Sequence, residues 1–117
     1  MNRDPFVVEG IYHIYNRGTD KRAIFLSDED RLRFMSNLFE FNDITPAMNW
    51  QYKSASSEVG PRRIGPRRRL VNLLTYCLMP NHYHLLLRQV DEGGVTLFMR
   101  KLGTGYTMYF NNKYERS

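Results

Sequence analysis

The segment Pro80-Asn81-His82-Tyr83-His84-Leu85-Leu86-Leu87 carries the residues best suited to chemistry. Two histidines stand two positions apart, just ahead of an aliphatic run. On a β-strand such residues share a face, roughly 6.6 Å apart along the strand axis. Neutral imidazoles at that spacing can converge on one divalent cation. Two imidazoles leave the coordination shell open, so a third ligand with solvent or substrate must complete it. A cation held in this way can polarise a phosphate oxygen. Ordinary sheet-surface histidines have the same spacing, so His-x-His alone does not separate the two readings.

A second feature is the placement of positive charge. The 117-residue chain holds 17 Lys and Arg against 12 Asp and Glu. Between Lys53 and Leu70 lie Lys53, Arg62, Arg63, Arg67, Arg68 and Arg69, opposed only by Glu58. The remainder of the chain is balanced, so this one segment carries the whole excess. A local basic run neutralises several phosphates together and so points to nucleic acid. A solvated loop that binds many polyanions is the alternative. Arg17, after the first strand, and Arg88, on the His82 and His84 face, are two further candidate phosphate contacts. Trp50 and Tyr52 precede the basic run and could stack on unpaired bases.

These residues need a scaffold, and composition bounds it. The length fits one domain, 1–117. A hydrophobic content of 42% excludes a disordered chain. The lone Cys77 excludes an internal disulfide framework and a cysteine-rich zinc site, and reads as a small buried hydrophobe. No apolar run approaches the roughly 18 residues of a membrane span. The first residues lack the apolar stretch of a secretory signal, so a cytoplasmic location is the expectation.

The order of elements follows from pattern. Gly10–Asn16 is β-branched and aromatic and predicts a strand, closed by the turn residues Arg17 to Asp20. On it His13 reads as a core or edge histidine. Ser27, with Asp30 three residues on, predicts a capped helix over Asp28–Asn42, whose apolar stripe is Leu32, Met35, Leu38 and Phe39 with Phe34 and Phe41 flanking. Residues 43–69 hold three prolines, two glycines and the arginine run, and predict a flexible basic loop. Leu70–Met79 is densely apolar and predicts a buried central strand. After the Pro80-Asn81 turn, His82–Gln89 alternates, with His82, His84, Leu86 and Arg88 on one face and Tyr83, Leu85, Leu87 and Gln89 on the other. Val95 to about Tyr114 predicts a second helix, with Phe98, Leu102, Tyr109 and Phe110 near one face. Gly103 and Gly105 inside it imply a kink or a close approach by another backbone. The class is α+β. The order βαββα is a ferredoxin-like antiparallel sheet with helices on one face and its final strand missing.

Tyr76-Cys77-Leu78-Met79-Pro80-Asn81-His82-Tyr83-His84-Leu85-Leu86-Leu87 resembles the signature of the single-tyrosine HUH transposases, most closely the REP-associated tyrosine transposases. Tyr12-His13-Ile14-Tyr15-Asn16-Arg17-Gly18 resembles their first strand, and Phe98 to Tyr106 with Tyr109-Phe110-Asn111 and Lys113-Tyr114 resembles their second helix. The resemblance implies an enzyme that nicks and rejoins single-stranded or hairpin DNA. It implies a 5′-phosphotyrosine intermediate, a divalent Mg²⁺ or Mn²⁺ held by His82 and His84, and a homodimer. It also implies a nucleophilic tyrosine and a third metal ligand on a later helix, which this sequence does not reach. Tyr106 and Tyr109, with Tyr114, lie on the preceding helix; packing or stacking is their expected role. The alternatives are a non-enzymatic basic nucleic-acid-binding module and a dimeric relic.

Overall fold

The computed structural model describes residues 5–44, 50–51, 62–63 and 67–116. Its elements are β1 (Ile11–Arg17), α1 (Asp28–Glu40), β2 (Trp50–Gln51), β3 (Arg62–Arg63), β4 (Val71–Met79), β5 (His82–Gln89) and α2 (Gly94–Tyr114). The protein is α+β: an antiparallel three-stranded sheet, ordered β1-β5-β4, with two helices. The chain leaves β1, passes through α1 to the far edge of the sheet, and returns as β5 between the two. This is the split βαβ connection of a ferredoxin-like unit.

The alternation along β5 decides which face is the core. Tyr83, Leu85, Leu87 and Gln89 are buried, while His82, His84, Leu86 and Arg88 are each only partly covered. Leu85 and Leu87 pack in one cluster with Phe34 and Leu38 of α1 and Val95, Phe98, Leu102 and Tyr106 of α2. Full burial of each such side chain contributes about 1.5–3 kcal/mol. One sheet face is therefore covered by helices and the other carries the histidines.

β4 departs from its expectation. It is an edge strand rather than the central one, and Leu74, Tyr76 and Met79 are exposed. A dense apolar run cannot say which arm of a hairpin receives the third strand; here β1 pairs with β5. Cys77 is exposed, not buried. It faces His84 across the β4–β5 ladder and so lies on the histidine face.

α1 begins where its cap predicts. Ser27 Oγ accepts the Asp30 N–H at 3.3 Å. The helix is rolled away from the expected stripe: Asp30, Phe34, Asn37 and Leu38 point inward, while Leu32, Met35 and Phe39 are exposed. The roll lets the Asp30 carboxylate accept from Leu26 N, Tyr109 OH, Lys113 Nζ and Tyr114 OH. α1 stops at Glu40, with Phe41 as its C-cap, short of the expected Asn42. Asn42 Oδ1 accepts from Leu70 N and Val71 N, and its Nδ2 donates to Val71 O, binding the helix end to the start of β4.

α2 starts after Gly93, whose φ of 72° lies in the left-handed region that favours glycine. Buried Gln89 caps it, its Oε1 accepting from Val95 N at 3.0 Å. The neighbour of Gly105 is a side chain rather than the expected backbone: a Cβ there would stand 2.3 Å from the Phe41 ring, while one on Gly103 would meet nothing within 4 Å.

The expected loop over 43–69 is corrected in its described parts. Trp50–Gln51 and Arg62–Arg63 pair as a two-residue antiparallel ladder. Asp43 is buried, and its carbonyl accepts from Lys101 Nζ. Tyr52, Lys53 and the loop prolines lie outside the described residues. Among the described residues, no helix is long and apolar enough to cross a membrane.

Candidate functional site

The sheet face that carries no helix among the described residues brings together side chains from three strands. The registers Arg17↔His82, Tyr15↔His84 and His13↔Leu86 put His13, Tyr15 and Arg17 of β1 beside the histidines of β5. The His82 and His84 ring centroids are 5.2 Å apart, with planes at 86°. Two imidazoles bound to one cation at about 2.1 Å per nitrogen have centroids roughly 5 Å apart. Their separation therefore suits a shared cation.

A histidine ligates only through a ring nitrogen that keeps its lone pair, so the tautomer matters. His82 Nδ1 lies 2.8 Å from Asn81 Oδ1. The Asn81 amide is oriented by its other end, since Nδ2 donates to Lys21 O at 3.3 Å. An amide oxygen only accepts, so His82 Nδ1 carries the proton and its Nε2 keeps the lone pair. Metal-binding histidines commonly have the non-ligating nitrogen held in this way.

His84 has a different neighbour. Its Nδ1 lies 2.8 Å from His13 Nε2. Loss of solvent, then the nearby His13 and His82, hold the His84 imidazole below its ordinary pKa. The neutral form is the one that binds metal. His13, expected as a core or edge histidine, is exposed on the edge strand β1; its place beside His84 is a diagonal cross-strand position, visible only once the β1–β5 register is known.

The donor set fits a divalent cation held by two imidazoles with an open shell. Among the described residues, no group of three or more His, Cys, Asp or Glu side chains is gathered as a metal set. The remaining positions would fall to solvent or a phosphate oxygen.

Tyr15 stands beside both rings, at 5.0 Å from His84 and 5.6 Å from His82. Its hydroxyl accepts from Arg17 Nε at 2.7 Å. Arg17 thus sits at the histidine end of the face, whereas Arg88 lies at the other end of β5, opposite Ile11. The described part of the basic run is largely engaged within the fold. Arg67 donates to Asn42 O and Phe39 O, the carbonyls at the end of α1, and its guanidinium lies 4.1 Å from the Phe39 ring centroid. Arg68 pairs with Asp91 at 3.2 Å. Arg69 is exposed. Arg62 and Arg63 contribute backbone to β3; their side chains lie outside the described residues.

Tyr106 and Tyr109 lie on the helix-covered side, away from the histidines. Tyr106 is buried against Phe34 and donates to Ile24 O. Tyr109 donates to Asp30 Oδ1 at 2.8 Å. Burial first, and then the Asp30 carboxylate, push both phenols above their ordinary pKa. A nucleophile must shed its proton, and both environments oppose that.

A cavity of about 480 Å³ opens near Tyr106. Arg17, Arg22 and Arg116 line it with Tyr83, Phe110 and Asn111. No histidine and no carboxylate is among its lining residues. This cavity and the histidine pair are therefore distinct features, with Arg17 adjoining both. No protein-family model matches the chain, and no curated protein and no solved structure matches it.

Proposed function

We propose that this chain engages metal and DNA in the manner of the single-tyrosine HUH transposases, acting on single-stranded or hairpin DNA. One observation carries the reading: His82 and His84 stand side by side on the sheet face opposite the helices, and Asn81 leaves the His82 Nε2 lone pair available. His82 and His84 would hold Mg²⁺ or Mn²⁺, which when bound polarises the scissile phosphate. Arg17 and Arg88 share that face and would position the DNA backbone. In such a reaction a tyrosine hydroxyl would attack phosphorus, the new O–P bond forming as the bond to the 3′ oxygen breaks, with the phenol's proton ending on the departing oxygen as a 3′-hydroxyl. The 5′-phosphotyrosine link conserves the bond energy for rejoining. Tyr106 and Tyr109 are disfavoured for that attack by their hydrogen bonds and burial.

Incubation with a labelled DNA hairpin and Mn²⁺, followed by a denaturing gel, tests the reading. Metal-dependent hairpin binding, lost in His82→Ala, is the expected result; a covalent adduct would instead assign the nucleophile to a tyrosine of this chain. Binding that ignores both metal and His82→Ala would sink it.

A second reading, a non-enzymatic nucleic-acid module, is favoured by the cavity rimmed by Arg17, Arg22 and Arg116 over aromatic rings. It predicts salt-sensitive binding indifferent to the histidines. A homodimer is supported by the exposed Met35 and Phe39 of α1, which line one shallow groove with the exposed Leu74 and Tyr76 of β4. Light scattering of the purified chain tests it, with twice the monomer mass expected.

A further inference from the structure

We propose that His13 is a positioning residue for the metal pair: its Nε2 accepts the Nδ1 proton of His84 and so leaves the His84 Nε2 lone pair for the cation. The inference rests on the reading of His82 and His84 as metal ligands.

His13 lies opposite Leu86 in the β1–β5 ladder, one diagonal step from His84. Diagonal neighbours on a sheet face are within reach of aromatic side chains. The two rings are 14° from parallel, with centroids 5.0 Å apart and facing nitrogens 2.8 Å apart. A centroid separation that much longer than the nitrogen gap places the rings edge to edge rather than face to face. The contact is therefore an in-plane hydrogen bond holding one proton.

Which ring donates decides whether His84 can be a ligand. If His84 Nδ1 donates, its lone pair sits on Nε2, as in His82. If His13 donates, the His84 Nδ1 lone pair is consumed and its Nε2 carries the proton, so neither nitrogen is available. Ligation by His84 therefore requires His13 to accept. The arrangement then repeats that of the neighbouring histidine, where Asn81 Oδ1 accepts from His82 Nδ1 at 2.8 Å. Each ligand histidine has its Nδ1 held by a different strand or turn, the pattern of outer-shell groups that orient imidazole ligands. His13 itself is exposed, so packing does not explain an imidazole at this position.

The test is Mn²⁺ titration of the full chain, followed by the loss of the free Mn²⁺ signal in electron paramagnetic resonance. His13→Ala should raise Kd about 10–100-fold. His13→Gln, which restores an acceptor oxygen, should recover most of the loss, with thermal midpoints unchanged in both. In the metal-free protein, nitrogen-15 shifts should report a protonated Nδ1 and unprotonated Nε2 on His84. The reverse pattern would overturn the inference. So would wild-type binding that His82→Ala abolishes but His13→Ala leaves intact, an outcome that spares the metal reading. No Mn²⁺ binding by the wild type would remove both.

Discussion

Asn81 and His82, adjacent in the chain, are joined by a side-chain hydrogen bond of 2.8 Å between Oδ1 and Nδ1. The bond fixes the imidazole tautomer, because the far end of the same amide is spent on Lys21 O. Asn81→Ala should weaken Mn²⁺ binding about tenfold by releasing the ring and its tautomer. Asn81→Asp, which keeps an acceptor oxygen, should lose less. Calorimetric titration of both variants distinguishes them; equal affinity in all three proteins would refute the role.

Asp30 predicts the acid behaviour of the fold. Burial alone would raise its pKa, but hydrogen bonds from Tyr114, Lys113, Leu26 N and Tyr109 outweigh it and hold the carboxyl well below the usual range. A depressed carboxyl contributes stability above its unfolded pKa of about 3.9, and that stability is lost as pH falls toward the folded value. Wild-type stability in urea should therefore fall steeply below about pH 4. Asp30→Asn should be less stable by about 2–3 kcal/mol at pH 7, with a flatter acid limb. An unchanged limb would show that other carboxylates control it.

Two glycines of α2 should respond oppositely to alanine. A Cβ on Gly103 meets nothing within 4 Å. Gly103→Ala should stabilise the protein by about 0.5–1 kcal/mol through helix propensity. Gly105→Ala drives its methyl against the Phe41 ring. It should destabilise by about 1–2 kcal/mol net, the overpacking cost exceeding the propensity gain. Thermal melts of the two variants read the signs directly.

Cys77 is exposed on β4 and should react with a thiol reagent in the folded protein at a rate near that of an unfolded thiol. A rate slowed many-fold, rising only in denaturant, would place it inside instead.

The period-two pattern of His82–Gln89 was legible from residue types, because one face of β5 is all aliphatic or aromatic until Gln89. The Ser27 cap was legible too, since capping is a local interaction. The stripe of α1 was misread because apolar residues lie on two of its sides, and only the partner helix selects one. Asp30 turns inward to meet Tyr109, Lys113 and Tyr114, about 80 residues away in sequence.

What the sequence determined by itself was local: strand and helix order, the shared face of His82 and His84, and the α+β class that follows from the βαββα arrangement. These depend on backbone periodicity and near-neighbour hydrogen bonds. What only the tertiary structure decided was which strand lies at the centre of the sheet and which side chains meet across strands. Placing β5 between β1 and β4 sends β4 and Cys77 to the edge. It also brings His13 within hydrogen-bonding distance of His84, 71 residues away. Register joins residues that no local rule connects, and the histidine face is built from that register.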